Sequence, residues 1–265
     1  MNWLQNKTIL ITRSRKQSTE EIKTLESYGA RVLDFSTIKI SQVKDSTQID
    51  NTITQLSVYD FIIFSSVNSI KYFNKRLIAQ SAGIPANITI ICVGTQTEEY
   101  AESKNINVNF VPKEYSAKGI LDELSKSDIK NKHFLIPSST IARKELSESL
   151  INAGAKVDLV PVYENLLPEI EEVKDQLIKL KIQKMDAFIF SSPSSFRNLL
   201  ALAKIEDAVR YFNDSVVTAI GPTTKSEIEN HNVKVDLMPD EFTIRACVDL
   251  LHNYDPVYNM ERKIE

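Results

Sequence analysis

Residues 59–70 read YDFIIFSSVNSI, a short apolar run that stops at two serines and continues as a potential helix. The same pattern occurs again at residues 185–196, which read MDAFIFSSPSSF. Asp60 and Asp186, near the start of the two copies, lie 126 positions apart. A run that is apolar at every position is typical of a strand buried on both faces, as strands of parallel sheets are. This stretch therefore predicts a parallel sheet.

Two further blocks of sequence recur at nearly the same spacing. Gly94 and Gly221 are separated by 127 positions, and Gly29 and Gly154 by 125. The blocks that contain them are residues 91–97 with 218–224 and residues 10–32 with 135–157. Because three blocks repeat in one order, the sequence predicts an internal duplication of one unit of domain size.

Strands alternate with helices along both copies, which is typical of an α/β fold. A strand, a helix and a second strand in quick succession favour a right-handed parallel crossover. Short strands are predicted at 107–110 and 233–237, helices at 141–153 and 169–181, and a polar connection at 36–50.

The bulk composition is that of an ordinary soluble protein, with 42% hydrophobic and 25% charged residues among 265. A net charge of -3 gives no reason to expect nucleic acid or an anionic membrane as a partner. The apolar surroundings of Cys92 and Cys247 predict buried thiols of a reducing compartment. The first residues lack the pattern of a secretion signal, and no apolar run is long enough to span a bilayer. The predicted location is the cytoplasm.

The segments that follow six strands are rich in serine and threonine, and none contains an acidic residue. They are residues 12–14, 65–68, 94–97, 137–140, 191–194 and 221–224. Each is predicted to open a helix at the ligand-binding edge of a parallel sheet. Free N–H groups at helix starts favour anions, so this set predicts a polyanionic ligand. The alternative is that the hydroxyls are ordinary helix caps.

Other polar residues carry less functional information. The three histidines, at positions 133, 231 and 252, lack metal-ligand spacing, so no metal site is predicted. Asp60 and Asp186 precede their strands and therefore belong to the edge opposite the predicted site. No Gly-rich phosphate loop is present, which argues against a nucleotide cofactor.

An ordered set of motifs resembles the uroporphyrinogen-III synthase family over the chain apart from residues 254–265, a predicted tail. The motifs are LITR at 10–13, residues 59–68, VGTQT at 93–97, VY at 162–163, residues 186–195 and IGPTT at 220–224. The resemblance implies a monomeric lyase of porphyrin and heme biosynthesis that needs no cofactor. It would close hydroxymethylbilane, a linear tetrapyrrole, with inversion of the last pyrrole ring. Whether it works alone or in transient contact with the upstream deaminase stays open.

The resemblance also implies an architecture. Two α/β domains of the Rossmann or flavodoxin-like type are joined by a two-stranded β-ladder, with the site in the cleft between them. Residues 1–36 and 166–265 would form one domain and residues 39–162 the other, with linkers at 36–39 and 162–166. The sequence repeat alone would instead divide the chain near residue 127.

Tyr163 matches the tyrosine that the family is most often proposed to use in helping the terminal hydroxyl leave. The turns and the resemblance together give the candidate substrate-binding residues. These are Arg13, Ser65, Ser66, Asn68, Thr95, Thr97, Ser138, Ser139, Ser192, Ser194, Gly221, Thr223 and Thr224.

The main alternative is a two-domain module that binds a small polyanion without catalysis. A periplasmic binding protein would carry a secretion signal, and a receiver-like regulator would carry acidic residues after its strands.

Overall fold

The computed structural model describes residues 3–114, 116–124 and 128–255. The chain divides into two compact units, one of residues 1–39 with 167–265 and one of residues 40–166. The first two residues, where part of a secretion signal would lie, and residues 256–265 of the predicted tail lie outside the described residues.

The strands, in chain order, are β1 (Thr8–Ile11), β2 (Arg31–Asp34), β3 (Lys39–Gln42), β4 (Phe61–Phe64), β5 (Thr89–Cys92), β6 (His133–Ser139), β7 (Lys156–Leu166), β8 (Ala187–Phe190) and β9 (Val216–Ala219). The α-helices are α1 (Thr19–Ser27), α2 (Thr47–Thr54), α3 (Val67–Ala79), α4 (Thr95–Glu102), α5 (Ala117–Leu124), α6 (Glu145–Asn152), α7 (Lys174–Ile182), α8 (Pro193–Ala203), α9 (Ala208–Phe212), α10 (Pro222–Glu229) and α11 (Ile244–His252). Short 3-10 helices lie at Arg15–Gln17, Leu56–Val58 and Ile170–Val173.

The first unit contains a four-stranded parallel sheet in the order β2-β1-β8-β9. The second contains a five-stranded sheet in the order β3-β7-β6-β4-β5, in which the pairs formed by β4 to β7 are parallel. The predicted α/β class with parallel sheets is thus confirmed. None of the helices in the described ranges has the length and apolarity needed to cross a bilayer.

Helices cover both faces of each sheet, so successive strand residues enter different hydrophobic clusters. In β4, Ile62 and Phe64 belong to one cluster, whereas Ile63 belongs to the other. In β8, Phe188 and Ile189 are divided in the same way. All five side chains are at most 1% exposed. Fully burying a residue of this size contributes about 1.5–3 kcal/mol, which explains why these strands tolerate no polar residue.

The two cysteines lie inside these clusters, as the sequence predicted. Cys92 and Cys247 are buried free thiols with no exposed surface. Burial raises the pKa of each thiol to about 12. Because the thiolate is the reactive form, neither residue is a nucleophile at neutral pH.

The amino ends of the inner strands carry the same hydrogen bonds in both units. Asp186 donates its N–H to Thr8 O at 2.8 Å, and its Oδ2 accepts the N–H of Thr8 at 2.8 Å. Asp60 makes the same pair of bonds with His133, each at 2.9 Å. Both aspartates therefore fix strand register at the edge away from the predicted ligand site, as their sequence position indicated.

Two predicted strands, at residues 107–110 and 233–237, are wrong. Each segment forms a single bridge to the neighbouring strand instead of a ladder. Side chains take the place of the ladder: Asn109 Oδ1 accepts a β5 N–H at 2.7 Å, and Asp236 Oδ2 accepts a β9 N–H at 3.0 Å. Asparagine and aspartate compete with backbone pairing in this way.

Other boundaries also differ from the sequence prediction. The connection at 36–50 contains β3 and the start of α2. The helix expected at 141–153 begins only at Glu145, and the helix expected at 169–181 is a 3-10 turn followed by α7. The segment 137–140 opens no helix, because β6 continues through Ser139 and stays paired with β7.

We expect Asp60→Ala to lower the free energy of unfolding by about 1–2 kcal/mol at pH 7. Asp60 also accepts a hydrogen bond from Lys132 Nζ at 2.9 Å, and this contact, followed by the His133 N–H, lowers the pKa of the carboxyl. A lowered pKa in the folded state means that the stabilisation is present above the unfolded value of about 3.9 and is lost as pH falls through the folded value. Urea unfolding at pH 7 and pH 3 measures the difference.

Glu99→Ala is the matched control, because Glu99 is exposed and has no ion pair with any described residue. The variant should unfold like the parent chain at both pH values. An Asp60→Ala cost that is equal at pH 7 and pH 3 would contradict the proposed carboxylate contribution.

Candidate functional site

A cavity of about 470 Å³ opens at the carboxyl ends of the strands in the unit of residues 40–166. Four predicted site residues line it: Ser65 follows β4, Ser138 and Ser139 end β6, and Tyr163 lies on β7. Apolar walls come from strand and helix residues such as Ile120. The cavity thus combines an apolar body with several hydroxyl groups, which is the usual chemistry of a small-molecule site.

Tyr163, in the lining of this cavity, is held in place by its packing. Its ring stacks on that of Tyr72, with centroids 5.9 Å apart, and Tyr72 in turn donates a hydrogen bond to Ile40 O at 2.7 Å. A register irregularity between Ser138 and Ser139 lies where β6 pairs with Tyr163. Bulges near sheet edges redirect side chains, so this one contributes to the orientation of the phenol.

The hydroxyls of Ser65 and Ser66 have different surroundings although the residues are adjacent. Ser66 caps α3: its Oγ accepts the N–H of Ser69 at 3.1 Å. The same oxygen lies 3.5 Å from the Tyr163 hydroxyl, at the long limit of a hydrogen bond. Ser65 is exposed and makes no hydrogen bond with its side chain among the described residues. Ser65 is therefore free to donate to a ligand.

Arg143 also lines the cavity, and the sequence reasoning did not identify it. It is exposed and forms no ion pair with any residue in the described ranges. Glu145 and Ser147 share the lining, so the rim carries one positive and one negative side chain. The available signal was the ARK sequence at 142–144, which the prediction assigned to the first turn of a helix.

The remaining candidates of this unit lie around the starts of α3 and α4. Asn68 is half-buried in the first turn of α3, and Thr95 is exposed at the first position of α4. Thr97 is buried, and its hydroxyl donates to Val93 O at 3.2 Å. None of the three is among the residues that line the cavity. Their contact with a ligand stays a prediction.

In the unit of residues 1–39 and 167–265, hydroxyls cluster at the ends of β1 and β8. Ser192 caps α8 by accepting the N–H of Ser195 at 3.1 Å, and its hydroxyl lies 3.1 Å from that of Ser194. Thr12 Oγ1 lies 3.0 Å from Ile189 O and 3.1 Å from Ser195 Oγ. Much of this hydroxyl set is therefore used internally, and Ser192 and Ser194 stay predictions as ligand contacts.

The start of α10 presents three further candidates. Gly221 precedes the helix, Thr223 is exposed in the first turn, and Thr224 is buried at 1% exposure. The first turns of α3, α8 and α10 contain no acidic residue. The first turn of α4, by contrast, contains one acidic residue, Glu98.

Arg13 and Arg15 follow β1 closely but differ in their partners. Arg15 pairs with Asp34 at 3.4 Å and with Glu26 at 3.1 Å, whereas Arg13 has no ion pair with a described residue. Arg13 is therefore the available cation of the two, as the sequence prediction requires. Across the described ranges, no group of three or more His, Cys, Asp or Glu residues is arranged to hold a metal ion.

Ser65→Ala and Ser66→Ala should separate ligand binding from helix capping. We expect Ser66→Ala to destabilise the protein by about 1 kcal/mol, because α3 loses its N-cap, and Ser66→Gly to cost only a few tenths. Ser65→Ala should leave thermal unfolding unchanged and weaken the binding of a carboxylate ligand. Calorimetry and a binding titration on all three variants test this. Equal destabilisation by Ser65→Ala and Ser66→Ala would refute the distinction.

The sequence matches the family model described as uroporphyrinogen-III synthase HemD over residues 20–249. A uroporphyrinogen-III synthase of Chlorobaculum parvum is 29% identical over 243 residues, which cover 89% of this chain and 94% of that protein. One of Synechococcus elongatus is 25% identical over 248 residues, covering 91% and 92%.

Solved structures agree on the fold. The uroporphyrinogen-III synthetase of Helicobacter pylori superposes with a TM-score of 0.61 at 16% identity, covering 92% of this chain and 97% of its own. A mutant uroporphyrinogen III synthase of Thermus thermophilus gives a TM-score of 0.59 at 14% identity, covering 97% and 99%. The family model matches this chain over most of its length, and the chain therefore belongs to the uroporphyrinogen-III synthase family.

Proposed function

We propose that the chain cyclises hydroxymethylbilane to uroporphyrinogen III, with loss of water and inversion of the last pyrrole ring. The observation that carries this proposal is the hydroxyl-lined cavity at the sheet edge with Tyr163 in its lining. The substrate bears carboxylate arms on every ring, so it needs many neutral or positive hydrogen-bond donors. Family membership supplies the reaction, and the cavity supplies donors of the required kind.

The reaction begins when the terminal hydroxyl leaves as water, which requires a proton. The resulting electrophilic methylene carbon bonds to the substituted position of the last ring, giving a spiro intermediate that opens and recloses inverted. The unassisted chain closes without inversion, so the protein must hold the two ends in the less accessible geometry. Tyr163 is proposed to donate or relay the proton, since its phenol lies at the cavity and 3.5 Å from the Ser66 hydroxyl.

Arg143 is proposed to bind one of the carboxylate arms at the rim of the same cavity. A guanidinium can form two parallel hydrogen bonds to a carboxylate, which fixes direction as well as charge. The free hydroxyl of Ser65 would donate a further bond. Glu145 on the same rim would repel an arm that entered in the wrong place.

The finer architecture is also a proposal. The matching bonds of Asp60 and Asp186 support an internal duplication in which β1, β2, β8 and β9 correspond to β6, β7, β4 and β5. Each sheet would then combine two strands from one copy with two from the other. The neighbouring positions of β3 and β7 in one sheet support the predicted two-stranded ladder.

The alternative is a module that binds a polyanion without catalysis. Both functions require a carboxylate ligand, but only an enzyme would change the ratio of isomers I and III in the product. Freshly prepared hydroxymethylbilane, incubated with the protein and resolved into isomers I and III, distinguishes them. A product ratio equal to the spontaneous one would favour binding alone.

Tyr163→Phe should slow isomer III formation by on the order of 10²–10⁴-fold, the usual contribution of a general acid. The ring and its stacking on Tyr72 are retained, so folding should not change. Steady-state kinetics with isomer separation measures the effect. Tyr72→Phe is the control, because it removes a hydroxyl that bonds Ile40 O and leaves the Tyr163 phenol in place. Parental rates for Tyr163→Phe would exclude the acid role.

Arg143→Gln should raise the KM for hydroxymethylbilane by about tenfold, since a charge-assisted hydrogen bond contributes about 1.5 kcal/mol. Lys144→Gln makes the same change in net charge one residue away, outside the cavity lining. If both variants raise KM equally, the effect is one of overall charge, and Arg143 has no specific contact. Arg143→Lys should recover only part of the loss, because ammonium lacks the bidentate geometry.

A further inference from the structure

Phe242 is an exception among the phenylalanines of this chain. All eleven phenylalanines lie in the described ranges, and Phe242, at 59% exposure, is the one that is exposed. The other phenylalanines are buried or half-buried in the clusters around the two sheets. A single exposed apolar side chain is common on protein surfaces, so the position and contacts of this ring, not its exposure, indicate its role.

Phe242 lies at the ligand-binding edge of the sheet formed by β2, β1, β8 and β9. Leu237 forms a parallel bridge with Thr218 of β9, so the chain beyond Leu237 leaves the sheet at the carboxyl edge. The short loop that follows is anchored at both ends. Pro239 is buried, and Thr243 caps α11 by accepting the N–H of Ala246 at 3.1 Å. The backbone that carries Phe242 is therefore fixed by its surroundings.

The ring of Phe242 lies directly on Gly221. A Cβ added to Gly221 would lie 3.2 Å from both Cγ and Cδ1 of Phe242, which is tighter than ordinary van der Waals contact. The backbone at Gly221 does not itself require glycine, because its φ of -174° is extended and open to any residue. In Gly94, the matching position of the repeat, φ is +97°, and glycine is favoured by the backbone. Glycine is therefore required for different reasons at the two repeat positions: by the backbone conformation at Gly94 and by the neighbouring phenyl ring at Gly221.

The absence of a side chain at Gly221 leaves room for an exposed ring against the segment 221–224. That segment contains Thr223, an exposed candidate for substrate binding. A pyrrole ring has an apolar face, and its contact with an aromatic side chain is favourable in offset or edge-to-face geometry. Hydroxyl and guanidinium groups can hold the carboxylate arms of the substrate, whereas a phenyl ring offers an apolar surface to the faces of its rings.

We infer that Phe242 positions the substrate by packing against one of its pyrrole rings, and that Gly221 is present to hold the phenyl ring in place. This inference rests on the proposed function, since the pyrrole belongs to hydroxymethylbilane. Phe242 is a positioning residue and takes no part in proton transfer.

Phe242→Ala tests the contact. The KM for hydroxymethylbilane should rise by about tenfold, and the share of isomer III should fall because the chain is held less firmly. Phe242→Tyr keeps the ring and should retain parental values. Ile78→Ala is the control, because Ile78 is 70% exposed on α3 in the other unit and should affect neither quantity. Thermal unfolding of all variants should match that of the parent.

Gly221→Ala in two backgrounds tests the role of the glycine. In the parent chain the added methyl displaces the phenyl ring, so KM should rise as it does in Phe242→Ala. In the Phe242→Ala background the methyl enters vacated space and should add little. An equal effect of Gly221→Ala in both backgrounds would mean that the glycine serves the backbone, and would overturn its assigned role.

These outcomes distinguish a failure of the proposed function from a failure of the contact between Phe242 and the pyrrole ring. If the parent chain gives only the spontaneous product, the proposed function fails and this inference falls with it. If the parent forms isomer III and Phe242→Ala matches it in KM and product ratio, the contact with the pyrrole is refuted while the proposed function stands. A loss of activity in Phe242→Ala with a lowered unfolding temperature and no recovery in Phe242→Tyr would also refute it, since the ring would then serve folding alone.

Discussion

Each sheet of this protein is covered by helices on both faces, and this burial constrains everything else in the chain. A strand such as β4 or β8 has no solvent-facing side, so its residues are apolar throughout. Polar chemistry is therefore confined to the two edges where strands begin and end. At the beginnings, carboxylates such as Asp60 bond to backbone N–H groups of the next strand. At the ends, hydroxyl groups dominate, and the cavity beside Tyr163 lies there.

The separation of the two edges allows one protein to combine firm strand register with a site lined mainly by neutral hydroxyl groups, in which Glu145 is the one acidic residue among the described residues of the cavity lining. Asp60 and Asp186 each pair with a lysine, at 2.9 and 3.0 Å, so their charges are balanced where they lie. The opposite edge uses neutral donors, whose hydrogen bonds to a carboxylate bring no opposing charge. Some of these hydroxyl groups also cap helices, as that of Ser66 does. A hydroxyl that caps a helix can therefore also belong to the ligand site.

Strand interiors could be predicted from sequence because burial on both faces leaves an apolar run with sharp ends. Predictions failed where side chains replaced backbone pairing, as at Asn109, or where a strand continued through polar residues, as β6 does to Ser139. Arg143 was missed because a cation in an irregular segment has no periodicity to mark it. The pairing of β1 with β8 could not be predicted from local sequence patterns either. The sequence repeat favoured a division of the chain near residue 127 instead.

The pairing of β1 with β8 has a consequence for how the chain is made. Residues 40–166 are contiguous and can complete their unit while still emerging from the ribosome. The first 39 residues cannot, because their sheet lacks its other two strands until residues 187–219 have been translated. During that interval the bare edge of β1 offers unpaired N–H and C=O groups. Because an unpaired strand edge can pair with other chains, we expect the nascent chain to bind a chaperone before its second half has been synthesised.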